Sequence, residues 1–187
     1  LTIVDVSGKA MKAAMHAVFT SGLLLSRMHH DSTSQILRDV APVLFKKTDS
    51  QTFITCQIAR YCPEDGKLSL SNAGHCKPII KRKGRAEFLH FKEPRYPLGV
   101  KEQVPYGTME LAINKGDLIL FYSDGLPEAS NEDNQRFGYE ETRKLIEQMD
   151  TDNMNSQEIC REIKRTIQRF SKFQLADDTT LVCLKPE

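Results

Sequence analysis

The 187-residue sequence predicts a layered α+β domain, and three observations carry that expectation. Helical periodicity is confined to the two ends of the chain. The middle is a run of short apolar segments separated by turn residues, and strands and helices do not alternate in the regular way that a parallel sheet requires.

Leu1 to Val6 is a short apolar run closed by an acid and read as a strand, with Ser7-Gly8 as the turn that follows. A long helix comes next: Met11, Met15, Val18, Phe19, Leu23 and Leu24 recur at spacings of three and four and are expected to pack, with Ala13, Ala14 and Ala17 allowing close approach. The methionines Met11, Met15 and Met28 are read as core. A second helix starts from a cap at Ser32 to Ser34 and carries Ile36, Leu37, Val40, Val43 and Leu44, with Pro42 expected to kink or break it. From Phe53 a hairpin turns at Pro63-Glu64-Asp65-Gly66 and returns through Lys67 to Ser71. Strands are expected at 78–82, 86–91, 108–113 and 117–122, arranged as a meander. Helices follow at 142–149 and 156–173, and the chain closes on a strand at 179–184. One domain covers 1–187.

Composition narrows the function. Lys plus Arg number 26 against 25 Asp plus Glu, a net charge of +1, which removes the basic footprint of a nucleic-acid binder. The apolar runs are a few residues long, too short for a membrane span. Cys56, Cys62, Cys76, Cys160 and Cys183 form no C-x-x-C pair, so neither a disulfide framework nor a thiolate zinc site is indicated. Reduced thiols of this kind fit a cytoplasmic protein. There is no convincing Ser-His-Asp spacing, no C-x5-R loop and no Walker glycine loop.

Three acidic positions stand beside turn residues at strand ends: Asp5, Asp124 and the pair Asp177-Asp178. Asp-Gly pairs also simply make turns, and that reading stays open for each position taken alone. An open cluster of such acids suits a hard divalent cation, which takes oxygen ligands and retains water.

The ordered series Asp5-Val-Ser-Gly-Lys, Asn72-Ala-Gly-His75, Pro97-Leu-Gly99, Gly116-Asp117, Tyr122-Ser-Asp-Gly125 with Glu128-Ala129, and Asp177-Asp-Thr-Thr-Leu resembles the bacterial SpoIIE/RsbU-like serine phosphatases of the PP2C (PPM) superfamily. The resemblance spans nearly the whole chain. It implies a β-sandwich of two antiparallel sheets flanked by helix pairs, a four-layer αββα arrangement, with the family's first strands missing and the domain truncated at its N-terminus.

It also implies a site. Asp5 matches the carboxylate that bridges two Mn²⁺ or Mg²⁺ ions, the Val6 carbonyl a further ligand, Asp124 and Asp177 ligands of the first ion, and Asp178 a neighbour acting through water or hydrogen bonding. Asp5, Asp124 and Asp177 would serve catalysis through metal-bound water attacking phosphorus in line. The family's Gly-Gly-Asp motif upstream of Asp5 has no counterpart in these residues, so two ions are expected of the intact domain. Ala10 stands where the family commonly has glycine, a departure expected to be tolerated.

His75 is read as a loop hydrogen-bonding residue rather than an acid or base, Lys9 and Lys12 as solvated charge, and His29-His30 as a helix end. The partners the resemblance implies are a phosphorylated protein, such as an anti-sigma-factor antagonist, an N-terminal sensor or receiver region of the same polypeptide, and a second copy in a homodimer. The competing reading is a non-catalytic PP2C-like interaction module.

Overall fold

The computed structural model describes residues 1–8, 10–49, 51–173 and 178–186. Its chain forms two compact units, residues 1–75 with 91–112 and residues 76–90 with 113–187. Each is an antiparallel four-stranded sheet with a pair of helices.

The first unit contains β1 (Thr2–Val6), α1 (Ala10–Arg27), α2 (Thr33–Lys47), β2 (Ile54–Cys62), β3 (Lys67–Ala73) and β6 (Met109–Ala112), with strand order β1-β2-β3-β6. Ile54, Cys56 and Ile58 alternate along β2 and pack with Ile36, Leu37, Val40 and Leu44 of α2 in one core. The Ser32 side chain accepts from the Gln35 N–H and starts α2 as expected. Pro42 lies inside α2 without ending it. Proline in a helix interior costs about 3 kcal/mol, and Val40, Ala41 and Leu44, all fully buried around it, supply packing that outweighs that cost.

The second unit contains β4 (Ile79–Arg82), β5 (Arg85–Phe88), β7 (Leu118–Tyr122), α3 (Tyr139–Gln148), α4 (Ser156–Phe170) and β8 (Leu181–Leu184), ordered β5-β4-β7-β8. Every residue of β7 is buried. Helix α4 begins with a reciprocal capping box between Asn155 and Glu158 and buries Ile159, Ile163 and Ile167, one residue every four, against the sheet core.

Two expectations are corrected. The middle strands are not a meander, because β6 pairs with β3 while β7 pairs with β4 and β8, so consecutive strands enter different sheets. The face of α1 read as packed is instead exposed: Met11, Met15, Val18 and Phe19 are open, and the inward residues are Thr20 and Leu24, with Leu23 half-buried beside them. Both faces of this helix are apolar, so periodicity alone does not say which one turns inward. Met28 does pack against the core.

Candidate metal-ligand segments in the two units

In the first unit, β1 carries Asp5 to the end of the sheet. Antiparallel register sets Asp5 opposite Thr55 and Val6 opposite Ile54, and directly opposed residues share a face. Ser7 fastens the strand end: its N–H donates to the Phe53 carbonyl at 3.0 Å, and its hydroxyl accepts from the Phe53 N–H at 2.8 Å. Thr55 Oγ1 is hydrogen-bonded to His75 Nδ1 at 2.9 Å. A row Asp5, Thr55, His75 thus runs across the strands.

His75 is buried, and its carbonyl accepts from Asn72 Nδ2 at 3.1 Å and Arg95 Nη1 at 3.2 Å. The bend before it needs glycine twice over. Gly74 has φ +74°, and a Cβ there would come within 2.6 Å of Pro97 Cγ. The Asn72–His75 and Pro97–Gly99 motifs, 22 residues or more apart in sequence, therefore pack on one another. The reading of His75 as a residue that ties its loop agrees with these bonds, and Thr55 is a partner that only the register reveals.

In the second unit, β7 delivers Ser123-Asp124-Gly125 to the segment that leads into β8. The Ser123 N–H donates to the Thr180 carbonyl at 3.1 Å, the Thr180 N–H donates to Ser123 Oγ at 2.9 Å, and the Ser123 hydroxyl donates to the Asp178 carbonyl at 3.3 Å. The two backbones lie so close at Gly125 that a Cβ would sit 2.3 Å from the Asp178 carbonyl oxygen. The turn is closed by the Glu128 N–H donating to the Asp124 carbonyl at 2.9 Å. Asp124 and Asp178, 54 positions apart, are thereby held on adjoining segments. Asp177 lies outside the described residues, as does Lys9.

Tyr139, the first residue of α3, stands near this turn. Partial burial pushes its phenol up to about 12, helped by the Cys76 thiol at 3.9 Å and by the negative charges of Asp124 and Glu128. It therefore stays protonated at neutral pH. Thr179 Oγ1 and Tyr122 Oη are buried without a hydrogen-bond partner, orphaned oxygens of the kind that water or an ion satisfies.

Within each unit the candidate groups are oxygen donors, Asp5 and the Val6 carbonyl in the first and Asp124 and Asp178 in the second, a chemistry that suits a hard divalent cation rather than zinc. Among the described residues, no three His, Cys, Asp or Glu side chains cluster in one metal-holding group. Asp5 and Val6 belong to the first unit, Asp124 and Asp178 to the second. Sequence reasoning missed Ser123 as the residue that pins the Asp178 segment, although it stands inside the quoted motif, and Tyr139, which no motif marks.

The sequence profile of the family described as Stage II sporulation protein E (SpoIIE) matches residues 1–187. Phosphoserine phosphatase RsbU of Bacillus subtilis (strain 168) is 28% identical over 189 residues, covering 99% of this chain and 55% of that protein, so the chain spans about half the length of the curated relative it matches. The SiaA-PP2C domain of Pseudomonas aeruginosa superposes with a TM-score of 0.82 at 16% identity, over 100% of this chain and 75% of that one. The PP2C phosphatase domain of SpoIIE from Bacillus subtilis, solved with a fragment of its regulatory domain, gives 0.81 at 19% identity, over 97% and 52%. These likenesses give the fold: two antiparallel sheets with four helices, of the PP2C phosphatase type. Among the described residues no helix is long and apolar enough to cross a membrane.

Proposed function

The chain belongs to the SpoIIE family, and from that membership we propose that it is a protein serine/threonine phosphatase domain that hydrolyses phosphoserine or phosphothreonine on a signalling partner, such as an anti-sigma-factor antagonist. The observation that carries the reading is the fastening of Asp124-Gly125 against the Asp178 carbonyl, which sets two acid-bearing segments side by side at the end of a wholly buried strand.

In this reading Asp5, the Val6 carbonyl, Asp124, Asp177 and Asp178 hold Mn²⁺ or Mg²⁺. When bound, the cation supplies a Lewis acid and an acidified water for attack on phosphorus. The chain's own residues do the positioning. Ser123 fixes the backbone of Asp178 and Thr180, Ser7 fixes the end of β1, and His75 holds Thr55, the strand residue opposite Asp5. Tyr139, whose hydroxyl lies 3.9 Å from Cys76 Sγ, keeps its proton at neutral pH. An N-terminal sensor or receiver region as regulator belongs to the same proposal.

The test measures phosphate release from a phosphoserine protein, with Mn²⁺ and with chelator, together with Mn²⁺ binding by calorimetry. Asp5→Asn and Asp124→Asn are each expected to lower turnover by about 10²-fold or more and to weaken the ion to a similar degree. Turnover that survives chelation and both substitutions rejects the reading. A chain that binds Mn²⁺ but never releases phosphate is instead the non-catalytic module.

A further inference from the structure

Two of the five cysteines meet in the second unit, although no spacing motif joins them. Cys160 lies in the second turn of α4 and Cys183 in β8, 23 positions apart. The anchor that aligns the two elements is Lys185. Its Nζ donates to the carbonyls of Thr151 at 2.7 Å, Asp152 at 3.2 Å and Met154 at 2.7 Å, just ahead of the Asn155 cap of α4. Residues two apart along an extended chain share a face, so holding Lys185 to the start of α4 turns Cys183 toward the same helix.

Packing agrees with that placement. Cys183 and Leu181 lie against the core that contains Ile159, Ile163 and Ile167 of α4. Ser156 and Cys160 are one turn apart and stand on one side of the helix. The Cys183 thiol is in side-chain hydrogen-bond contact with both of them. Both thiols are reduced and half-buried, within reach of a small reagent.

We propose that Cys160 and Cys183 are a peroxide-reactive dithiol whose intramolecular disulfide reversibly fastens α4 to β8.

The contact gives the two sulfurs different tasks. The bond from Cys183 holds the Cys160 thiol down at about 7 against its partial burial, so a large share is thiolate at neutral pH. The same contact, with burial, pushes Cys183 up and keeps its proton on. The Cys160 thiolate attacks a peroxide oxygen: the S–O bond forms as the O–O bond breaks, and the hydroxide released takes a proton from solvent. Cys160 is then a neutral sulfenic acid, and the negative charge that opposed ionisation of Cys183 is gone. Cys183 attacks that sulfur, the S–S bond forms, and the sulfenic oxygen leaves with the Cys183 proton as water. A dithiol reductant returns two electrons and two protons and restores both thiols. The remaining cysteines sit in less reactive places. Cys56 is buried and pushed up to about 12 by burial, Cys62 is raised by the Glu64 carboxylate that accepts its S–H at 3.0 Å, and Cys76 lies against the Tyr139 hydroxyl.

The position gives the bond a consequence. Among the described residues β8 pairs with β7 alone, as the edge strand of its sheet. The cross-link adds a covalent hold on the other element it touches and closes a ring over residues 160–183, which restricts the unfolded chain.

Hydrogen peroxide at a few molar equivalents, added to the reduced 187-residue chain, tests the proposal. Non-reducing peptide mapping should find Cys160 linked to Cys183 within one copy, with dithiothreitol reversing the link. The oxidised chain should melt higher by roughly 5 °C or more. Cys183→Ser should stop at a sulfenic acid on Cys160 that dimedone captures, and Cys160→Ser should slow oxidation of Cys183 at least tenfold, each with unchanged far-UV CD. Where a serine variant fails to fold, mapping and melting of the unsubstituted chain decide the matter. Links that join other cysteines or two copies overturn the proposal, as does a chain in which Cys160 and Cys183 stay reduced. So does a cross-link that leaves the melting temperature unchanged or lowers it, or an undiminished oxidation of Cys183 in Cys160→Ser.

Discussion

The two helix pairs solve the same packing problem and finish it differently. In the second unit, α4 turns Ile159, Ile163 and Ile167 inward. Its outer surface and that of α3 carry ion pairs such as Lys144–Glu141 and Arg165–Glu162. In the first unit, α2 behaves in the same way, but α1 leaves a second apolar stripe outside. An amphipathic helix needs a single dry side. In α1 one of two apolar sides joins the core and the other stays open, which separates residues that hold the fold from residues that do not.

The largest expected contrast tests that separation directly. Leu44→Ala in the first core and Ile163→Ala in the second should each cost about 2–5 kcal/mol in denaturant unfolding, because both side chains are fully buried in close-packed clusters. Val18→Asp should cost less than about 0.5 kcal/mol in the same assay. A large loss for Val18→Asp there would mean that the stripe belongs to the fold after all.

Next come two glycines. Gly125→Ala forces a methyl group into the Asp178 carbonyl, 2.3 Å away. It should cost roughly 1–3 kcal/mol by overpacking and weaken Mn²⁺ binding in calorimetry. Gly22→Ala, on the open side of α1, should raise stability by up to about 1 kcal/mol through helix propensity. Equal effects at the two positions would erase the distinction between a site glycine and a surface glycine.

A smaller contrast separates the helix starts. Asn155→Ala removes the 2.9 Å side-chain half of a reciprocal capping box, whose other half, the 2.8 Å bond from the backbone N–H of residue 155 to Glu158, alanine can still make, and should cost about 1 kcal/mol. Ser32→Ala removes a single cap bond of 3.4 Å and should cost less in the same thermal unfolding assay.

The smallest effect is a titration. Lys12 first, then Thr52, holds the Asp49 carboxyl well below the usual carboxylate range. The associated stability is complete above the ordinary aspartate range and is lost as pH falls through the depressed value. NMR titration should show Lys12→Met moving the Asp49 midpoint upward, and an unchanged midpoint would mean that this ion pair does not form in solution.

The placement of two candidate acids at strand ends was readable in advance because turn chemistry is local. Asp5 before Ser7-Gly8 and Asp124 before Gly125 fall where the sequence placed them, at the ends of β1 and β7. The positioning residues were not readable. Thr55 acquires its place opposite Asp5 only through the β1–β2 register, and Ser123 reaches Asp178 across 55 residues. Tyr139 carries no motif at all, and it matters because α3 begins beside the Asp124 turn. Among the elements, α2 and α4 were legible from caps and one apolar face, whereas the sheet membership of β6 and β7 was not.

By itself, then, the amino-acid order determined the kinds of element, their caps and turns, and the acids that end the strands, since each depends on neighbours within a few residues. The folded chain decided which strands pair, which side of α1 turns inward, and that Gly125 must leave room for the Asp178 carbonyl. Those outcomes rest on hydrogen bonds and packing between residues distant in sequence, where many pairings satisfy the local preferences and only the joint burial of the two cores selects one.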